Sequence, residues 1–306
     1  MNKLTFIIPI YNEEGAIGKT IDSIRKIFND VKIVVCDNNS SDKSLSEALE
    51  KNVKVLSENK KGKGYAVSKL FRSIDSEVYI LVDGDNTYDL SCLKDALKIF
   101  KNKKLDMMIG NRFFYKNSSY MRKGHDIGNI FFTKFFKSIF GIRTNDIFSG
   151  LRIFSRSFVK SFPNLSGEFE IETEFSIFAS KMNLSVDEFP TFVNKRVGTQ
   201  SKLSSLKDGI KILFFAAKIV HREYPYRIYL PMTLICILVS FINFISIYRE
   251  FLETNIVPRL PTLLISCSLF LSSIFFMSVG IILNSIDNIR YEQRKIAYLL
   301  TTRDEI

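Results

Sequence analysis

Two stretches of this 306-residue chain, 228–248 and 260–283, run for 21 and 24 residues without a charged side chain. Each is long enough to cross a hydrocarbon core of about 30 Å as a helix. The joining stretch 249–259 is short, which predicts a hairpin with both flanks on one side of a bilayer. Lys211, Lys218, Arg222 and Arg227 precede the pair and Arg290, Arg294 and Lys295 follow it, against only Arg249 and Arg259 in the loop. The positive-inside bias then puts the long N-terminal part and the C-terminus in the cytoplasm, and the expected location is the inner (cytoplasmic) membrane. Upstream, Leu206, Ile210, Leu213, Ala217 and Val220 recur at helical spacing with Lys207, Lys211, Lys218 and Arg222 on other faces. That is the pattern of a basic amphipathic helix in the headgroup plane. The expected organisation is a globular domain over 1–205, a juxtamembrane helix over 206–227, a transmembrane hairpin over 228–283 and a cytoplasmic tail over 284–306.

The formal charge of +11 suggests a polyanionic partner. The cations gather beside the apolar runs and no nucleic-acid motif appears, so anionic lipid accounts for them and no nucleic-acid partner is expected. The first apolar run, Leu4 to Ile10, is too short for a signal peptide and is followed by Asn12, Glu13 and Glu14. Cys36, Cys92, Cys236 and Cys267 have no metal-ligand spacing and read as reduced packing residues.

From residue 3 to about 110, short β-branched runs alternate with helical periods. Leu4–Ile10, Lys32–Val35, Val53–Leu56 and Tyr79–Val82 read as strands; Ile17/Ile21/Ile24/Phe28, Leu45/Ala48/Leu49 and Val67/Leu70/Phe71/Ile74 mark helix faces. This alternation predicts an α/β, Rossmann-like domain on a mostly parallel sheet. Ligands of such sheets sit beyond the carboxyl ends of the strands.

Three strands end in polar loops: Pro9 into Tyr11, Asn12, Glu13 and Glu14; Asp37 into Asn38, Asn39, Ser40, Ser41 and Asp42; and Val82 into Asp83, Gly84 and Asp85. Two carboxylates around a glycine can share a hard divalent cation that also binds substrate phosphates. Tyr11 is placed to stack on a base and Asp37 to accept from a base or ribose. Lys60, Lys61, Gly62, Lys63 and Gly64 precede a helix, so backbone donors and a helix N-terminus can meet an anion there. Neither Gly-x-x-x-x-Gly-Lys-Ser/Thr nor Gly-x-Gly-x-x-Gly after the first strand is present, which disfavours ATPase and dinucleotide readings. Glu168, Glu170, Glu172 and Glu174 alternate with apolar and small residues, a period that fits an exposed strand face. The Phe-rich run Asp126 to Phe140, with Lys134 and Lys137 interspersed, reads as a packing helix or as a stripe against a membrane surface.

Together, Pro9–Glu14, Asp37–Asp42, Asn59 with Gly62–Lys63–Gly64, and Asp83–Gly84–Asp85 resemble the GT-A domain of glycosyltransferase family 2. The resemblance continues through Gly110–Asn111–Arg112, Asp146 with Ser149–Gly150–Leu151–Arg152, Phe169–Glu170–Ile171–Glu172, and Arg196–Val197–Gly198 with Ser201–Lys202–Leu203. With the apolar hairpin, it is most similar to the polyprenyl-phosphate glycosyltransferases of the dolichol-phosphate mannose synthase group. The resemblance implies a nucleotide diphosphate sugar donor, UDP- ahead of GDP-, held by Pro9, Tyr11, Asn12, Glu13, Asp37, Asn38, Lys63, Gly64, Asp83, Gly84 and Asp85. It implies Mg²⁺ or Mn²⁺ on Asp83 and Asp85, and a polyprenyl phosphate acceptor met by Arg112, Arg152, Arg196, Ser201 and Lys202. Asp85, Asp83, Arg112 and Glu172 are the implied catalytic set. A small membrane flippase and self-association are compatible partners. Two departures stand out: Asn38 where a second acid is frequent, and Thr87 where Gln is frequent after the metal motif. A phosphate acceptor has a second pKa of about 6 and is already an anionic nucleophile near neutrality, so a general base is dispensable. The alternatives are transfer to a sugar hydroxyl of a lipid-linked glycan, with Glu172 as base, and a non-catalytic membrane protein that binds nucleotide sugars. A polymer-building synthase is disfavoured, because the chain has no tryptophan for the Gln-x-x-Arg-Trp motif.

Overall fold

The computed structural model describes residues 4–114, 125–163, 171–193, 214, 216–257 and 259–303. Two compact units form, Met1–Gly209 together with Arg294–Ile306, and Ile210–Gln293. In the first, β1 (Leu4–Ile10), α1 (Ile17–Ile27), β2 (Lys32–Asp37), α2 (Ser44–Glu50), β3 (Lys54–Ser57), α3 (Lys63–Ser73) and β4 (Val78–Leu81) follow the predicted alternation. Then come α4 (Leu93–Asn102), β5 (Met107–Asn111), α5 (His125–Phe140), β6 (Arg152–Ser155), α6 (Arg156–Ser161), α7 (Ile171–Lys181) and β7 (Val186–Pro190).

The seven strands form one sheet in the order β3-β2-β1-β4-β6-β5-β7. β1 is central to its parallel half, and Phe6, Ile7 and Ile8 are fully buried because α-helices cover both faces. Ile17, Thr20, Ile21 and Ile24 form the buried stripe of α1, with helical i, i+3, i+4, i+7 spacing. Burying one such isoleucine contributes about 1.5–3 kcal/mol. The helix stops at extended Phe28, whose ring packs 5.3 Å from Phe6.

Register decides where the loops fall. Ile10 pairs with Asp37 and Asp37 with Ser57, while Leu81 pairs with Ile7. The polar loops after β1, β2 and β4 therefore share one edge, as the sequence predicts.

The second half adds what the alternation does not foresee. β6 enters antiparallel between β4 and β5, pairing Arg152 with both Leu81 and Ile109. Because it runs the opposite way, it begins where its neighbours end, and this brings Ser149 and Gly150 to the loop edge. β7 is parallel to β5 at the sheet margin.

Of the alternating acids, the two that are described, Glu172 and Glu174, are not on a strand. Ile171–Lys181 is helical, with Glu172 and Glu174 buried, while Glu168 and Glu170 lie outside the described residues. Ile171, Phe175 and Phe178, at helical spacing, are buried, and the two rings join Phe71, Phe154, Phe158 and Phe162 in an aromatic cluster. Burial of that stripe outweighs a two-residue alternation. On α5, Phe136 and Phe140 are buried and stack at 5.5 Å, a packing role; the side chains of Phe131 and Phe132 are outside the described set.

The second unit holds a helix over 216–223 (α8), α9 (Tyr226–Thr254) and most of α10 (Leu260–Arg303). Residues 206–213 of the expected amphipathic helix lie outside the described residues. α9 and α10 are each long and apolar enough to cross a membrane. Arg249, expected in the loop, is on α9, and helix continues through the expected tail as far as Arg303. The helices meet through Ser240 and Ser266, each hydroxyl donating to the other residue's carbonyl at 2.8 and 2.7 Å. Small polar side chains let helix backbones approach and supply hydrogen bonds where lipid offers none. In the first unit, Tyr298 donates its hydroxyl to Asp106 Oδ1 at 2.7 Å, ahead of β5.

Candidate active site

The three predicted loops each turn through a left-handed asparagine: Asn12, Asn39 and Asn86 have φ of 53°, 62° and 53°. Asparagine tolerates this region better than other side chains. The first two loops are stitched together. Asn12 N–H donates to Ser40 Oγ (3.0 Å), Ser41 N–H to Asn12 Oδ1 (2.8 Å) and Glu13 N–H to Ser44 Oγ (2.6 Å). Asp37 is buried and accepts from Ser40 N–H at 3.3 Å.

Asn38 is a clamp. Its amide donates to the carbonyls of Lys60 (2.6 Å) and Glu58 (3.2 Å), and its oxygen accepts from Gly62 N–H (2.7 Å). A carboxylate has no proton to give two carbonyls, so this fold of the Lys60–Gly62 loop calls for an amide. The departure seen in the sequence is thus a structural adaptation, and the Asn38 side chain is committed to the loop. Lys61 sits over the Tyr11 ring at 5.6 Å.

Lys63, the first residue of α3, is half-buried between two acids. Its ammonium pairs with Asp83 and, at 2.5 Å, with Glu172, bringing together residues 109 positions apart in sequence. Burial opposes the charge, but the carboxylates of Asp83 and Glu172 outweigh it and hold the ammonium above its ordinary pKa. Arg112, just past β5, donates from Nε and Nη2 to the fully buried Asp146 at 2.7 and 2.8 Å, and its N–H donates to the same carboxylate at 3.1 Å. Here too burial is overcome, by Asp146 and Tyr88 foremost, with Asp83 contributing, and the guanidinium is held above its usual value.

Glycines set the close approaches. A Cβ on Gly84 would lie 2.7 Å from Ile10 Cγ2, and one on Gly150 would lie 2.7 Å from Asp83 Cγ. Gly150 N–H also donates to Tyr88 Oη at 2.8 Å. Asp85 is buried, and its Oδ1 accepts from Thr87 N–H (3.2 Å) and Thr87 Oγ1 (2.6 Å). Among the described residues no three His, Cys, Asp or Glu side chains cluster as a complete metal site. Asp83 and Asp85 nevertheless form an all-oxygen donor pair, which fits a hard divalent cation that completes its shell with substrate phosphates.

One expected phosphate contact is corrected. Arg152 is fully buried: it donates to the carbonyls of Ser149 (2.9 Å) and Ile147 (2.5 Å) and to Ser176 Oγ (3.1 Å), and its guanidinium lies 5.6 Å from the Phe175 ring centroid. The antiparallel direction of β6 turns it into the core, where burial lowers its pKa to about 10. Arg196, Ser201 and Lys202 lie outside the described residues. The structure brings Asp83, Lys63, Glu172 and Gly150 together, and places Asp146 beside Arg112. Sequence reasoning gave no role to Asp146, Tyr88 or Glu188, which are joined to the site by tertiary contacts without a local pattern.

A mostly parallel seven-stranded sheet with this acidic and basic carboxyl edge defines a GT-A-like glycosyltransferase domain. The model of the family described as "Glycosyl transferase family 2" matches residues 5–162, just over half of the chain, and the chain belongs to that family. It is 39% identical over 152 residues to an uncharacterised Shigella flexneri protein, covering 49% of this chain and 93% of the relative. It is 26% identical over 209 residues to a dolichyl-phosphate hexose transferase of Haloferax volcanii, covering 68% of this chain and 90% of the relative. In fold it is similar to glucosyl-3-phosphoglycerate synthase of Mycobacterium tuberculosis in complex with Mn²⁺, UDP-glucose and phosphoglyceric acid. That likeness has a TM-score of 0.52 at 16% identity and covers 64% of this chain and 73% of the other.

Proposed function

We propose that this glycosyltransferase moves a sugar from a nucleotide diphosphate sugar, UDP- ahead of GDP-, to the phosphate of a membrane polyprenol. The observation that carries the lipid acceptor is the pair of membrane-length helices on the same chain as the GT-A domain. The name of the Haloferax relative, a dolichyl-phosphate hexose transferase, supports the same acceptor class, and the UDP-glucose in the mycobacterial structure supports the donor. Residues 1–205 then form the transferase domain, 206–227 a headgroup-plane helix, and 228–283 the hairpin, with both ends in the cytoplasm at the inner membrane.

In this reading the strand-end loops of Tyr11, Glu13 and Asp37 hold the nucleotide. Mg²⁺ or Mn²⁺ at Asp83 and Asp85 would neutralise charge on the departing diphosphate. Among the described residues, Lys63 and Arg112 supply positive charge from the protein, in fixed positions that need no reorganisation during transfer, with Arg196 and Lys202 as further candidates. The acceptor phosphate is already anionic, so the chain has to align it behind the anomeric carbon rather than deprotonate it. A single displacement inverts that carbon. Glu172, paired with Lys63, serves to position the cation.

The test is incubation of the full chain in detergent with undecaprenyl phosphate, Mg²⁺ or Mn²⁺, and a panel of UDP- and GDP-sugars, followed by the mass of the lipid product. A metal-dependent glycosyl phosphoryl lipid from one donor is expected. If transfer begins only when a lipid-linked saccharide is supplied, the acceptor is a hydroxyl and Glu172 becomes its base.

A further inference from the structure

Four donors converge on one carboxylate beyond the edge just described. Glu188, half-buried on β7, accepts at Oε1 from the backbone N–H of Asn145 and of Asp146 (3.2 Å). Its Oε2 accepts from the side-chain amides of Asn111 and Asn145, both at 2.9 Å. Asn111 immediately precedes Arg112, and Asp146 is the carboxylate that grips Arg112. Glu188 therefore holds both the strand end that carries the cation and the loop that carries its counter-ion.

The chemistry of the cluster admits little else. Asn111 Oδ1 already accepts from Phe113 N–H at 2.8 Å, and Asn145 Oδ1 from Lys137 Nζ at 2.6 Å. Turning either amide to offer oxygen to residue 188 would set its NH₂ against those donors. The position calls for a side chain that only accepts, which is an ionised carboxylate. Glutamine there would keep one acceptor and aim its own NH₂ at donors.

We infer that Glu188 is a positioning residue for sugar transfer: acting through Asp146 and Asn111, it fixes Arg112 where phosphate charge is met. This rests on the reading of Arg112 as a phosphate-facing cation. A purely architectural role would be independent of Arg112.

The test is a double-mutant cycle in the detergent-solubilised full chain with Glu188→Gln, Arg112→Ala and the double variant. UDP affinity with Mn²⁺ by calorimetry and kcat/KM for transfer to undecaprenyl phosphate are read separately. Glu188→Gln is expected to lower kcat/KM by roughly tenfold or more, mainly through kcat, and to cost less than about threefold further once Arg112 is alanine. Should Glu188→Gln melt below the assay temperature, Asn145→Ala, which removes one exposed donor, carries the same cycle with a smaller coupled loss. Equal losses with and without Arg112, or wild-type values in both readouts, overturn the proposal. A wild-type chain that binds UDP yet makes no polyprenyl-phosphate product sinks the acceptor reading alone, and the cycle is then read on UDP affinity.

Discussion

Thr87 donates both its backbone N–H and its hydroxyl to the same oxygen of Asp85, at 3.2 and 2.6 Å. One lone-pair face of that carboxylate is thereby fixed, and its plane is set before any ligand arrives. Thr87→Val keeps the shape and removes the hydroxyl bond, worth about 1.5–3 kcal/mol when one partner is charged. We expect roughly a tenfold higher metal requirement in a titration of turnover against Mn²⁺, and near-complete loss of turnover for Asp85→Asn with its melting temperature retained. Unchanged metal dependence in Thr87→Val would show that the hydroxyl only fills space.

Gly150 has no room for a side chain because the Asp83 carboxylate lies against it. Gly150→Ala should displace Asp83 and abolish most transfer. Gly18→Ala is the control, since on α1 its Cβ meets Lys51 Cε at 3.4 Å, an ordinary contact. Replacing a helical glycine should raise stability by up to about 1 kcal/mol with turnover unchanged. Melting curves and steady-state rates on the two variants separate the site effect from the helix effect.

Lys63 is the shared cation of Asp83 and Glu172. Lys63→Met leaves the half-buried Asp83 carboxylate and the buried Glu172 carboxylate without their shared counter-ion, and removing one partner of a fully buried pair costs about 3–5 kcal/mol, an upper bound here. The melting temperature should fall sharply and return in part in Lys63→Met/Glu172→Gln, which removes one of the opposed charges. A double variant no more stable than the single one would show that the two acids do not share the lysine.

Burial raises the Cys36 thiol from its ordinary 9.0 and the Tyr79 phenol from 10.0, each to about 12. Both groups are held neutral in the fold, so the unfolded chain loses these protons first. Their contribution is whole below about pH 9 and is lost as pH rises towards 12. Thermal melts from pH 8 to 12 should show a steepening alkaline decline, flattened by Cys36→Ala. Tyr79→Phe should flatten it too, while lowering stability near neutrality, because the hydroxyl accepts from Ser76 N–H and donates to the Ile74 carbonyl, both at 3.0 Å.

The parallel half of the sheet was legible because short apolar runs that alternate with helices have few arrangements, and the pairing of Ile10 with Asp37 and of Asp37 with Ser57 follows from them. Arg152 was not. An arginine after a Ser-Gly pair looks the same in sequence whether its strand runs with the sheet or against it, and only the pairing of β6 turns it inward. Ile171, Phe175 and Phe178 carried a helical stripe that the alternating glutamates obscured. Asn38 reads in sequence as a departure from the family pattern, because the carbonyls it holds, those of Glu58 and Lys60, lie about twenty residues away in the chain. The membrane-length runs were visible from length alone, whereas the continuation of α10 to Arg303 depends on residues too polar to mark a span.

The bond from Tyr298 to Asp106 links residues 192 positions apart within one compact unit, which the chain leaves after Gly209 and re-enters at Arg294. Topologically, the apolar segment is an insertion rather than an appendage. A soluble version cut at residue 209 would therefore lack a piece of its own domain, leaving the Asp106 carboxylate without its phenol partner. A shortened enzyme that keeps the catalytic unit whole has to bridge residues 209 and 294 with a linker in place of the hairpin.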